Sequence, residues 1–237
     1  MALSNRLHLL FGASRPLSWL IAPAIYFSGF IHSGTYPHTA PALLFALALS
    51  FLTCLITFGV NDVYDYNSDI QNPRKNNYWG DGAILNKRDQ NFVLSAAKVS
   101  TVAVLLISPA AVQFPQLWAY VLLFLFLSWI YSSPPLRLKE WPILDSFSNG
   151  MICWLFWLCG YTLSNSVSGE GFLCGWLVIF YASSCHSLAA VADVIPDASA
   201  NQTTIATVIG VRLTAVFSMI SLYAYEKGIR FLDNTNM

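Results

Sequence analysis

Apolar residues gather into long runs separated by short polar stretches, at roughly 17–33, 41–61, 91–112, 116–133, 143–163, 171–192 and 204–223. A helix needs about 20 apolar residues to cross a hydrocarbon layer ~30 Å thick, so the pattern predicts seven membrane-spanning helices. Pro115, Pro134, Pro135 and Pro142 stand between runs, where a residue without an N–H ends a helix. The first run extends backward through Leu7–Phe11, is interrupted by Pro23, and carries no small-residue cleavage site. It reads as a first span that stays in place and not as a signal peptide. No internal repeat of fixed period is present.

Composition supports the membrane reading. The 237 residues are 56% hydrophobic and only 10% charged, with mean hydropathy +0.54, whereas soluble domains carry about 25% charge. Zero net charge and the lack of a long basic patch exclude a nucleic-acid partner. Cys54, Cys153, Cys159, Cys174 and Cys185 are odd in number, lack C-x-x-C spacing and lie in apolar stretches. They read as small hydrophobes, neither disulfides nor zinc ligands. Basic residues alternate between loops. Arg6 and Arg15 precede the first run, Arg74, Lys75, Lys87 and Arg88 follow the second, and Arg137 and Lys139 follow the fourth; 34–40, 113–116 and 164–170 hold none. This predicts a multi-pass integral membrane protein with its N-terminus and those basic loops in the cytoplasm. Lys227 and Arg230 fit that orientation less well. The Asn201-Gln202-Thr203 sequon would face the cytoplasm, unmodified.

The candidate chemistry sits at the ends of the apolar runs. Asn61, Asp62, Asp65 and Asp69 form N-D-x-x-D-x-x-x-D at the end of the second, and Asp193 and Asp197 follow the sixth. A carboxylate at the centre of a membrane helix costs roughly 2.5–3.5 kcal/mol on insertion scales. If the second helix runs on through the first motif, its three carboxylates lie within about 60° of one another around the axis. With no basic partner they would repel one another without a cation. Such an oxygen-rich cluster suits Mg²⁺, which keeps positions open for substrate phosphates. Pro196 is expected to end or kink the helix and re-aim Asp197. Asp145, at the start of the fifth run, reads as a helix cap.

These motifs, together with Thr203-Thr204 and Gly210, the stretch from Tyr131 to Lys139 (Tyr-Ser-Ser-Pro-Pro-Leu-Arg-Leu-Lys) and Ser14-Arg15-Pro16, resemble the UbiA superfamily of intramembrane prenyltransferases over about residues 14–212. Asn72-Pro73-Arg74-Lys75 and the stretch from Leu144 to Asn149 are most similar to the lycopene elongase type. The resemblance implies an all-α ring of membrane helices, about seven here and about nine in the family, around a central prenyl-diphosphate cavity. Residues 1–16 would be a cytoplasmic segment, 17–223 the prenyltransferase domain and 224–237 a polar tail. The implied reaction is Mg²⁺-dependent transfer of a prenyl group from an isoprenyl diphosphate to a lipophilic or aromatic acceptor within the bilayer.

The implied metal ligands are Asn61, Asp62, Asp65, Asp69, Asp193 and Asp197. Asp62, Asp65, Lys139 and Tyr131 are the candidate catalytic residues. Asn61, Arg74, Lys75, Asn149 and His186 are the candidates for substrate binding. Arg74, Lys75 and Lys139 would neutralise the departing diphosphate, and Tyr131 would face the carbocation. His186, seven residues before Asp193, would take the proton lost at the end. Two features depart from the family pattern: Asn76-Asn77-Tyr78-Trp79 stands where a second arginine followed by proline is usual, and the chain stops after its seventh run. A membrane terpene cyclase and a truncated, non-catalytic family member therefore remain open readings.

Overall fold

Within a hydrocarbon phase each backbone N–H and C=O must find a partner inside its own segment, which leaves the helix as the solution for single runs. In the computed structural model, which describes residues 3–34, 40–76, 79–111, 115–163 and 167–235, every regular element is helical. The side chains of Leu3, Pro41, Arg74, Asn76, Ala110, Ala111, Pro115, Glu170, Asp233 and Thr235 fall outside that description. In chain order the helices are α1 (Leu3–Ala13), α2 (Ile21–His32), α3 (Ala40–Leu47), α4 (Val60–Tyr64), α5 (Tyr66–Asp69), α6 (Lys87–Ala111), α7 (Pro115–Ser132), α8 (Leu144–Tyr161), α9 (Gly169–Ala192), α10 (Val194–Ser199), α11 (Ile205–Ile209) and α12 (Val211–Thr235). Two π-helical stretches, Ala48–Leu52 and Leu55–Gly59, carry α3 into α4.

Among the described residues, three helices are long and apolar enough to cross a membrane: Ala42–Tyr64, Lys87–Pro109 and Gly171–Ala192; Gln116–Ser132 is a shorter apolar helix. Three boundaries differ from expectation. Leu7–Phe11 does not extend the first span, because the chain turns at Arg15 (φ 50°) and α1 is a separate helix. The last long helix starts at Val211 and not at 204, because Gly210 (φ 84°) adopts a backbone that interrupts α11 from α12. Residues 224–235, expected as a polar tail, continue α12.

α8 is the centre of the packing. It lies against α2, α7 and α9, while α9 in turn carries α12, and α6 packs on α3. Tyr26, Phe45, Leu49, Phe124, Leu155 and Ile179 are fully buried in one continuous core. Outward faces are apolar instead of polar, with Leu47, Val99, Leu106 and Met219 each about 70% exposed, a distribution suited to lipid. Polar groups turn inward as interhelical links: Ser184 Oγ on α9 lies 2.8 Å from Ser218 Oγ on α12.

The α2–α8 crossing depends on two glycines. A Cβ on Gly160 would collide with the carbonyl of Tyr26 and stand 3.0 Å from the Phe30 nitrogen; one on Gly29 would collide with the carbonyl of Trp157. Neither obstacle is a flexible side chain, so the helices must part to admit a methyl. Gly160→Ala should therefore destabilise by about 1–3 kcal/mol, as overpacking does. The measurement is the thermal unfolding midpoint in detergent; an unchanged midpoint would show that the crossing has slack.

Candidate active site

The π-helical stretches before α4 change the register of the helix that delivers the first motif. Such bulges are frequent at functional sites, and here Thr57, Phe58 and Asn61 all reach a single cavity of about 280 Å³. α4 then ends at Tyr64, and Asp65 (φ −101°, ψ 12°) separates it from α5. The uninterrupted stripe of three carboxylates is thus not formed. Instead Asn61 Nδ2 donates to Asp65 Oδ2 at 2.7 Å and to Ser132 Oγ at 3.3 Å.

Nor are the carboxylates without basic partners. Asp62 is fully buried and absent from the cavity wall. Its Oδ1 accepts from Arg15 at 2.9 Å and Lys75 at 2.6 Å, and its Oδ2 accepts from the Ala83 N–H at 3.0 Å. Both its oxygens are engaged by protein donors, so Asp62, unlike the other carboxylates of the motif, is not presented to the cavity. Gly82 (φ 93°) makes this approach possible, since a Cβ there would stand 2.6 and 2.8 Å from the Asp62 oxygens. Asp65 pairs with Lys139 through its Oδ1 and has Arg137 at 3.5 Å. Asp69 Oδ2 lies 2.9 Å from Lys75 Nζ in an ion pair that lacks hydrogen-bond geometry. Burial, opposed by Lys75 and reinforced by Asp62, pushes the Asp69 carboxyl up to about 7. Burial lowers Lys139 to about 8, against the raising influence of Glu140 and Asp197.

The second motif arrives from the opposite side. α9 ends at Asp193 (φ −99°, ψ 3°), three residues before Pro196, which sits in the first turn of α10 where proline is tolerated. Asp193 and Asp197 line the same cavity as Asn61, Asp65 and Asp69. Asn72 Nδ2 donates to Asp193 Oδ1 at 3.1 Å and ties the two motifs together. Lys75, Lys139, Tyr131, Asn149 and His186 also line it. The side chain of Arg74 lies outside the described residues. Asp145, buried at 1% exposure, accepts the N–H of Ser146 in the first turn of its own helix through Oδ1 and the N–H of Ile205, the first residue of α11, through Oδ2.

Among the described residues no three His, Cys, Asp or Glu side chains converge in a metal-holding group. Lys75 bridges Asp62 and Asp69, and Lys139 pairs with Asp65. The donor set nevertheless fits Mg²⁺: every candidate ligand offers oxygen, and Asp69 keeps a buried oxygen without a hydrogen bond. Arg15, Thr57, Gln202 and Asp81 are further cavity residues that the sequence reading did not assign a role. Arg15 was flagged by its Ser-Arg-Pro context. Gln202, which donates to Ser68 Oγ at 2.9 Å and Asp65 Oδ1 at 3.4 Å, had only its place within the sequon.

Comparisons with known proteins agree with this architecture. Residues 20–226 match the UbiA prenyltransferase family. The chain is 31% identical over 224 residues to a lycopene elongase/hydratase of Corynebacterium glutamicum, covering 88% of this chain and 71% of that one. It is 32% identical over 212 residues to a lycopene elongase/hydratase of Halobacterium salinarum, covering 85% and 71%. A UbiA homolog from Archaeoglobus fulgidus bound to DMAPP and Mg²⁺ superposes with a TM-score of 0.72 at 21% identity, over 92% of this chain and 73% of that one, and so shares the fold. The chain belongs to the UbiA prenyltransferase family, and within it resembles the lycopene elongase type.

Proposed function

We propose that this chain transfers a prenyl group from an isoprenyl diphosphate to a lipophilic polyene acceptor of the carotenoid class, in a Mg²⁺-dependent reaction inside the membrane. The observation that carries the reading is one cavity lined by oxygen donors from both acidic motifs, by Arg15, Lys75 and Lys139, and by Tyr131 and Phe58. Asn61, Asp65, Asp69, Asp193 and Asp197 would hold Mg²⁺, which bound there would offset the negative charge of a diphosphate.

The protein's own cations act on the same charge. Lys75 and Lys139 are 7% and 6% exposed and pair with carboxylates. A diphosphate entering the cavity offers them a second anion at short range. Their pull on the leaving group favours departure of the allylic C–O electron pair with the diphosphate. The allylic cation then needs an aromatic and apolar wall. Phe58, Tyr131, Ala189 and Ala190 supply one, with each aromatic face worth roughly 0.5–2 kcal/mol to a nearby cation. The distribution of basic loops supports an orientation with the acidic motifs in the cytoplasm.

The test uses membranes containing the chain, supplied with dimethylallyl, farnesyl or geranylgeranyl diphosphate and with lycopene. Diphosphate release that requires Mg²⁺, stops on chelation and accompanies a prenylated polyene is the expected result. Release with a product built from the donor alone would show cyclisation instead. No release with any donor would remove the catalytic reading.

A further inference from the structure

We propose that Tyr131, His186 and Ser146 form a proton-accepting arm of the cavity that ends the reaction by deprotonating the product cation, selecting an alkene over a tertiary alcohol. The proposal rests on the prenyl-transfer reading above. Tyr131 Oη lies 2.6 Å from His186 Nε2, and His186 Nδ1 lies 3.2 Å from Ser146 Oγ. Tyr131 and His186 both line the cavity, whereas Ser146 is fully buried behind it.

His186 precedes Asp193 by seven residues of continuous helix, so it stands about 10 Å along the axis from the end that carries the carboxylate. That separation places the arm at the level of a hydrocarbon chain whose diphosphate sits among the acidic motifs. One arrangement pairs both ring nitrogens of His186. Tyr131 donates to Nε2, and the Nδ1–H donates to Ser146 Oγ. Ser146 is itself fixed, since its carbonyl accepts from Ser183 Oγ at 3.1 Å. Ser146 is thus a positioning residue that sets which ring nitrogen is free to receive a proton.

The chemistry balances without a further reactant. The allylic C–O bond breaks with its electron pair on the diphosphate, and the freed carbon bonds to an alkene carbon of the acceptor. The adjacent carbon becomes cationic. The electron pair of a neighbouring C–H bond closes a new double bond, its proton passes to Tyr131 Oη, and the Tyr131 proton passes to His186 Nε2. The imidazolium so formed shares its cavity with Asp145 and Asp193, which offset its charge. Without this arm the cation persists until water captures it as an alcohol.

The experiment supplies membranes containing the full chain with dimethylallyl diphosphate and lycopene, and reads diphosphate release beside the alkene-to-alcohol ratio. The wild type should yield chiefly alkene. Tyr131→Phe and His186→Gln should each lower the ratio at least about tenfold, a modest share of what positioned acid–base groups contribute. Ser146→Ala should lower it less, and Ser146→Thr should restore it. Because the ratio is internal to each sample, partial loss of folded protein leaves it interpretable. A ratio unchanged in Tyr131→Phe, His186→Gln and Ser146→Ala would assign the proton to the diphosphate or to water and overturn the proposal, as would a wild type that makes only alcohol. So would variants that release no diphosphate at all while the wild type does, since the residues would then serve ionisation. Failure of the wild type itself to release diphosphate would instead sink the prenyl-transfer reading.

Discussion

Replacing Asp65 by asparagine should lower Mg²⁺-dependent diphosphate release by at least about a hundredfold, the scale on which a single preorganised charge-stabilising group acts. Asp65 gathers more of the site than any other motif residue. It accepts from Asn61 of α4 and Gln202 of the segment before α11, pairs with Lys139 beyond α7 and has Arg137 nearby. Asparagine has nearly the same shape but a single acceptor oxygen, so it keeps the link to Asn61 or to Gln202 and not both. What also disappears is the negative charge. Lys139 then loses its counter-charge at 6% exposure, where an unpaired ammonium is costly, and the metal loses an anionic oxygen. Raising Mg²⁺ should recover part of the rate. Glu226→Gln, which touches the exposed pair with Arg230 far from the cavity, should stay near wild type in the same assay. Activity of Asp65→Asn within about threefold of wild type would be far too small an effect for a charge-stabilising role, and would remove Asp65 from the site.

The helical character and the meeting of both acidic motifs were legible from the sequence, because apolar run length and in-family spacing are local signals. What could not be read is how the chain bends between those signals. The expected stripe from Asp62 to Asp69 assumed an unbroken helix, yet the π-helical turns before Val60 and the break at Asp65 aim neighbouring carboxylates in different directions. Arg15 lies 47 positions from Asp62, and Lys139 lies 74 from Asp65. Pairings at such separation leave no periodic trace, so the carboxylates looked unpartnered. Asp145 was legible in part for a related reason. It accepts the N–H of Ser146 in its own first turn, but its second partner, the N–H of Ile205, belongs to a helix that begins 60 residues later.

Asp62→Ala should cost about 3–5 kcal/mol of stability, the range for stranding one side of a buried ion pair. Both Arg15 and Lys75 would lose the oxygen they share, and the Ala83 N–H its acceptor. The expected result is a sharp fall in folded yield and in the detergent unfolding midpoint. Asp62→Asn is the informative companion, since it keeps the shape and one acceptor. Arg15 and Lys75 both reach the cavity, and without the Asp62 charge they are held less firmly, Arg15 by Asn61 and Lys75 by Asp69. Donor KM should rise about tenfold, equivalent to ~1.4 kcal/mol. The Mg²⁺ concentration for half-maximal rate should stay put, because Asp62 has no face on the cavity. Asp69→Asn should behave in the opposite way, shifting the Mg²⁺ requirement more than the donor KM. A Mg²⁺ shift in Asp62→Asn as large as that in Asp69→Asn would mean that Asp62 turns to the metal when substrate binds, and that Arg15 and Lys75 are its resting partners alone.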